Sequence, residues 1–160
     1  MENPFFKLKN NIKGDVLTDE YSLGIYATDA SIYQIKPIAV ILPKDAEDVK
    51  AAVSVAQKNN ITILPRGAGT SLAGQTVGKS MILDFSKYMN TLLEINEQEK
   101  WVRVQPGMVR DDLNAELKPY GLHLAPDPAT GSRANVGGDG REQFLRHQKH
   151  PIRQDRGPCS

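Results

Sequence analysis

The densest chemical signal in these 160 residues is Pro65-Arg66-Gly67-Ala68-Gly69-Thr70-Ser71-Leu72-Ala73-Gly74-Gln75. Glycines let a loop turn tightly and bring backbone amides close to a ligand with no side chain in the way. Successive amides facing a concavity make an anion site, and Thr70 and Ser71 add hydroxyl donors. Arg66 either supplies charge or ties the ends of the loop together. The chemistry suited to such a loop is a phosphate or pyrophosphate. On composition alone, a long turn without a ligand fits equally well.

A competing pattern overlaps it. Ala73-Gly74-Gln75-Thr76-Val77-Gly78-Lys79-Ser80 fits a relaxed nucleotide phosphate loop, with Ala in place of the first glycine. That motif needs a helix directly after Lys-Ser, so that the helix N-terminus faces the phosphates. Here Met81-Ile82-Leu83-Asp84-Phe85 follows and reads as a strand, so the NTPase reading is rejected.

Other reactive residues have plainer roles. His123 lies between Leu122 and Leu124 and reads as a structural histidine. Asp111 and Asp112 open a helix and favour its dipole. Asp84 ends a strand and satisfies backbone amides. Trp101, Phe85 and Tyr88 read as core or rim packing. His147, His150 and Cys159 have poor spacing for a metal. No catalytic residue is assigned.

The loop needs elements to hold it. Ile38-Ala39-Val40-Ile41-Leu42 is a short apolar run closed by Pro43, as a buried strand is. Asp45 caps a helix in which Ala46, Val49, Ala52, Val53 and Ala56 repeat at helical spacing up to Asn59-Asn60. Ile61-Thr62-Ile63-Leu64 is the next strand, and this strand-helix-strand order predicts parallel neighbours with a right-handed crossover. Leu92-Leu93-Glu94-Ile95 and Trp101-Val102-Arg103-Val104 read as a hairpin. A short helix follows Pro106-Gly107, with Val109, Leu113 and Leu117 on one face and Pro119 and Gly121 at its end. Residues 1–36 read as an N-terminal helical arm, with Phe5, Phe6, Leu8 and Ile12 on one helix.

Composition excludes several classes. With 39% hydrophobic and 24% charged residues, the chain suits one soluble domain. A net charge of +1 gives no electrostatic reason to expect a nucleic acid or an anionic membrane. Met1-Glu2-Asn3-Pro4 lacks a secretory signal, and no segment approaches the roughly 18 apolar residues of a membrane span. The single Cys159 fits a reducing compartment, so a cytoplasmic location is expected.

The succession from Ile38 to Gly138 resembles the flavin-binding domain of the vanillyl-alcohol oxidase/p-cresol methylhydroxylase superfamily, and within it the FAD-linked oxidases that include glycolate oxidase D subunits and D-lactate dehydrogenases. The carriers are Pro37-Ile38-Ala39-Val40, Asp48-Val49, the loop Pro65–Gln75, Val104-Gln105-Pro106-Gly107 and Pro126-Asp127-Pro128, with Tyr26-Ala27-Thr28-Asp29-Ala30-Ser31 upstream. The run Trp101–Leu117 is similar to the subgroup fused to a C-terminal iron–sulfur region. The resemblance implies an α+β fold: a truncated p-cresol-methylhydroxylase-type FAD-binding domain whose N-terminal part is residues 37–138, with a small parallel β-α-β subdomain and the start of an antiparallel-sheet subdomain. It implies that Pro65, Arg66, Gly67, Ala68, Gly69, Thr70, Ser71, Gly74 and Gln75 cradle the FAD pyrophosphate. Pro126, Asp127, Gly137 and Gly138 are expected along the cofactor from the other subdomain. Some family members attach flavin through a loop histidine; Thr70 stands at that position, so FAD is expected to be held non-covalently. The implied activity is removal of a hydride from the CH–OH group of a 2-hydroxy acid of the D-lactate or glycolate type. Substrate is expected only in the full-length protein, and an iron–sulfur cluster only in its C-terminal region. The alternative is a non-catalytic nucleotide-binding or interaction module built from the same half-domain; this fragment alone is expected to be inactive.

At Gly138 the family continues Met-Val-Gly-Asn-Asn, whereas this chain continues Asp139-Gly140-Arg141-Glu142-Gln143. Residues 139–150 permit a set of codons that, read from the second base and with the C of the Pro151 codon, gives Met-Val-Gly-Asn-Asn-Ser-Ser-Gly-Thr-Lys-Ser-Ile. Residues 139–160 are therefore expected to be out of frame and, with few apolar side chains and no periodicity, to form no regular structure. The gene sequence across the Gly138 codon tests this.

Overall fold

The computed structural model describes residues 4–138 and the backbone of residues 150–154. It divides into two compact units, residues 1–89 and 90–160.

The first unit is a four-stranded sheet with helices against it. Its elements are α1 (Pro4–Asn11), β1 (Asp15–Leu17), α2 (Glu20–Ile25), β2 (Ala39–Leu42), α3 (Ala46–Lys58), β3 (Ile63–Arg66) and β4 (Met81–Asp84). The strand order is β1-β2-β4-β3, with β2, β4 and β3 parallel and β1 antiparallel at the edge. Strands β2 and β3 are parallel, as the strand-helix-strand order predicts, but they are not neighbours. Strand β4 lies between them because all four of its residues are buried, as are those of β2. A strand apolar on both faces belongs in the middle of a sheet.

Asp45 caps α3 by accepting from the amides of Glu47 and Asp48, an arrangement that contributes about 1 kcal/mol. The buried face of α3 carries Ala52 and Ala56, while Val53 is turned outward at 43% exposure. The helix ends where Asn60 adopts a left-handed φ of 51°. Strand β3 begins two residues later than the sequence suggests, because the Ile61 amide is tied back to the Ala56 carbonyl. It runs on through Pro65 and Arg66, and an edge strand tolerates Pro65, which has no amide hydrogen to donate. Residues 1–36 contribute more than a helix: α1 buries Phe5 and Leu8 in the core made by Ala39, Ile41, Met81 and Leu83, and β1 extends the sheet.

The second unit contains β5 (Leu92–Asn96), β6 (Trp101–Val104), α4 (Arg110–Leu117), a 3-10 turn (Lys118–Tyr120), β7 (Leu122–Leu124) and β8 (His150–Gln154). The β5–β6 hairpin is antiparallel. Leu113 and Leu117 of α4 are fully buried against Val102, Met108, Leu122, Leu124 and Val136, each burial contributing about 2 kcal/mol. The helical segment closes at Gly121, whose φ of 62° a glycine adopts without cost. The sheet order is β5-β6-β8-β7. Within the tail expected to lack regular structure, residues 150–154 thus pair with both β6 and β7, and a ladder of this kind asks only for backbone donors and acceptors. The remainder of residues 139–160, including His147 and Cys159, lies outside the described residues.

The parallel sheet of one unit and the antiparallel sheet of the other bear out the expected α+β architecture. Among the described residues no helix is long and apolar enough to cross a membrane.

Candidate anion-binding loop

The glycine-rich loop joins β3 to β4. Strand β4 starts at Met81, directly after Lys79-Ser80, so no helix follows the overlapping Lys-Ser pattern and the NTPase reading has no structural basis. Gly69 and Gly74 have positive φ, 69° and 73°, and this is what bends the chain back on itself. A Cβ at Gly69 would stand 2.8 Å from the Arg66 guanidinium, and one at Gly74 would stand 2.5 Å from the Tyr33 ring. Both positions are closed to any side chain.

Six successive backbone amides, Gly67 to Leu72, donate no hydrogen bond among the described residues. Backbone amides are obligatory donors, so a run of them on a partly exposed loop is open to an anion. The Thr70 hydroxyl also makes no bond there. Ser71 Oγ instead donates to Gln75 Oε1 at 2.7 Å and accepts from the Ala73 amide, which shapes the turn from within.

Arg66 resolves its two readings. Its Nη1 donates to the carbonyls of Tyr26 (3.3 Å) and Thr76 (3.1 Å), and its Nη2 to the carbonyl of Thr28 (2.8 Å). The guanidinium also lies over the Tyr26 ring, 5.2 Å from its centroid. It ties the start of the loop to its end. Asp29, which sequence reasoning did not single out as a site residue, accepts from the Ser31 amide at 2.8 Å and from Thr76 Oγ1 at 2.9 Å. Burial raises the Asp29 carboxyl, but the bonds from Ser31 and Thr76 outweigh it and hold its pKa below the ordinary carboxylate value. The Ala30 amide donates to the Gly69 carbonyl at 3.0 Å.

The second set of expected residues lies in the other unit. The Pro126 carbonyl accepts from Arg110 Nε at 3.0 Å, and the Asp127 carboxylate pairs with Arg110 Nη2 at 2.9 Å. Gly137 sits so close to Pro106 that an added Cβ would lie 2.7 Å from its carbonyl oxygen. The Gly138 amide donates to the Asn135 carbonyl. Arg110 was missed by the sequence reading, which saw only the acidic pair Asp111-Asp112 at that helix start. A basic residue ahead of an acidic pair was the available signal.

Leu72 and Ile32 are exposed apolar residues, at 80% and 94%, on segments that run beside each other through the Ala30–Gly69 bond. Among the described residues no group of three His, Cys, Asp or Glu side chains stands ready to hold a metal.

Comparison with known proteins agrees with this geometry. A family model described as an FAD binding domain matches residues 37–139. D-2-hydroxyglutarate dehydrogenase of Pseudomonas putida is 43% identical over 135 residues, 82% of this chain but 13% of its own length. Glycolate oxidase subunit GlcD of Bacillus subtilis is 33% identical over 151 residues, 90% of this chain and 32% of its own length. A solved 4-ethylphenol oxidase from Gulosibacter chungangensis superposes with TM-score 0.74 at 27% identity, over 86% of this chain and 28% of the other. p-Cresol methylhydroxylase superposes with TM-score 0.70 at 18% identity, covering 85% and 28%, a likeness of fold. The chain therefore spans between an eighth and a third of the curated relatives it matches.

Proposed function

The chain belongs to the FAD-binding-domain family, and we propose that it is the FAD-binding portion of a flavin-dependent oxidoreductase acting on the CH–OH group of a 2-hydroxy acid. The observation that carries the cofactor reading is the run of open amides from Gly67 to Leu72, on a loop whose two positive-φ glycines admit no side chain. Such a run fits a pyrophosphate, which offers several anionic oxygens to donors fixed in place before it arrives.

In this reading the amides of Gly67, Ala68, Gly69, Thr70 and Ser71 bind the pyrophosphate, with the Thr70 hydroxyl as a further donor. Pro65 and Arg66 set the strand that leads into the loop, and Gly74 and Gln75 complete its turn. From the second unit, Pro126, Asp127, Gly137 and Gly138 are the residues proposed to lie along the cofactor. Thr70 is not a site of covalent attachment, so FAD is held non-covalently. FAD, when bound, supplies the hydride-accepting chemistry; the chain's own residues bind and orient it, and no residue here is given a catalytic role. The names of the relatives, D-2-hydroxyglutarate dehydrogenase and glycolate oxidase subunit, support a 2-hydroxy acid as the substrate of the intact protein. An iron–sulfur cluster, in this reading, belongs to the part of the relatives' length that these residues do not span. A cytoplasmic setting goes with the single cysteine.

Titration of the chain with FAD, followed by flavin fluorescence, tests the cofactor. Saturable binding with all flavin released on denaturation is expected. Absence of binding at millimolar FAD, or flavin that stays with the denatured chain, overturns the reading. D-2-hydroxyglutarate, D-lactate and glycolate are the substrates to assay on the intact protein.

A further inference from the structure

The family match begins at residue 37, yet the glycine loop is fastened by a segment that precedes it. Five contacts join residues 26–33 to the loop. Arg66 reaches the carbonyls of Tyr26 and Thr28. The Ala30 amide reaches the Gly69 carbonyl. The Asp29 carboxylate takes the Thr76 hydroxyl, and the Tyr33 ring lies against Gly74.

The charges in this clamp are placed for shape. Asp29 is an anion beside a loop that is open to an anion, a position that direct electrostatics disfavours. Its oxygens are engaged by Ser31 and Thr76. Arg66 has no carboxylate within ion-pair distance among the described residues, and three of its donors go to backbone carbonyls. A lysine keeps the charge but cannot reproduce that fork.

We infer that the segment Tyr26–Tyr33 is a positioning clamp that holds the FAD loop in its binding shape, with Asp29 and Arg66 as its two positioning residues. This rests on the reading of the loop as an FAD site. The clamp acts through the loop: it orders the amides before FAD arrives, so that binding does not bear the cost of ordering them.

The test uses the whole chain carrying Asp29→Asn or Arg66→Lys, with Glu97→Gln as a charge control in the exposed hairpin turn. Two quantities are read: amide exchange at Ala30 and Thr76 without FAD, and FAD affinity. Loss of hydrogen bonds that involve a charged group predicts about tenfold faster exchange and about tenfold weaker FAD binding for both variants. For Asp29→Asn the sign alone decides, since removing a negative charge tightens FAD binding if the carboxylate acts only through its field. Unchanged or tighter binding by Asp29→Asn, or wild-type behaviour of Arg66→Lys, overturns the inference. If the variant at Asp29 does not fold, Thr76→Val replaces it, with rescue expected from Thr76→Ser; equal behaviour of the two overturns the clamp. A wild-type chain that binds no FAD defeats the cofactor reading, and the exchange arm still decides the clamp.

Discussion

The Tyr26 hydroxyl donates to Asp84 Oδ2 at 2.6 Å, joining the segment beside the glycine loop to the last residue of β4. The other oxygen of this buried carboxylate accepts from the amide and hydroxyl of Ser86. Tyr26→Phe removes one charge-assisted bond and leaves Asp84 partly unsatisfied, so a loss of about 2 kcal/mol in a denaturant titration is expected. Burial, then the bond to Asp84, pushes the Tyr26 phenol up from its ordinary value. A folded pKa above the unfolded value of about 10 means that this stability is fully present below pH 10 and falls as pH rises beyond it. Tyr26→Phe abolishes that part of the alkaline loss. An alkaline limb identical in the variant and the wild type would contradict it.

Three glycines share the left-handed conformation but differ in their surroundings. At Gly121 an added Cβ meets nothing within 4 Å, whereas at Gly69 and Gly74 it meets Arg66 and Tyr33. Gly121→Ala carries only the backbone cost, about 1 kcal/mol. Gly69→Ala and Gly74→Ala add a steric clash and are expected to cost about 2 kcal/mol or more. They should also weaken FAD binding, which Gly121→Ala should leave unchanged. Thermal unfolding and flavin titration of the three variants check the ranking.

Much of the architecture was legible because it rests on local chemistry. Asp45 announced the start of α3 and Gly121 the end of the second helical segment, and the apolar run Met81-Ile82-Leu83 that opens β4 read as a buried strand. The expected loop between β3 and β4 is where the structure has it. Less visible were elements whose residues carry no period of their own. Strand β1 has three residues and gains its pairing only from the edge of β2, and α2 has six residues with one buried side chain, Leu23. The role of Arg66 was undecided because sequence shows a guanidinium but not the three carbonyls brought to it from 10 and about 40 positions away. Asp29 was hidden for the same reason: its partner Thr76 is 47 positions distant.

Asp48 is the second buried carboxylate of the first unit, 3% exposed, and its position on α3 makes it a knot. It accepts from the amides of Lys13, Gly14 and Lys44, each at 2.9 Å. Those amides belong to the turn before β1 and to the turn between β2 and α3. Asp48→Ala strands three donors in a site too tight to admit much water, since Gly14 has no room even for a Cβ beside the Leu42 carbonyl. A cost of about 3 kcal/mol or more is expected. Asp48→Asn keeps one acceptor oxygen and should cost less. Equilibrium urea unfolding separates the two, and equal costs would show that charge, not acceptor count, holds the knot.

Arg110 fastens the second unit's loop in the way Arg66 fastens the first unit's, but with one difference that can be measured. Its side chain is 17% exposed and divides its donors among the Pro126 carbonyl, the Asp111 carboxylate and the Asp127 carboxylate. Asp127 is itself 79% exposed, and an ion pair with so solvated a partner contributes at most about 1 kcal/mol and often much less. The bond to the Pro126 carbonyl, partly buried and made by a charged donor, contributes about 1.5 kcal/mol. Arg110→Lys loses the fork and should destabilise the chain by about that amount, while Asp127→Asn should cost little. The Asp111 amide donates to the Gly131 carbonyl from the same helix turn, so release of Arg110 should speed exchange there as well. If Asp127→Asn proves as costly as Arg110→Lys, the ion pair is the fastener and the carbonyl bond is incidental.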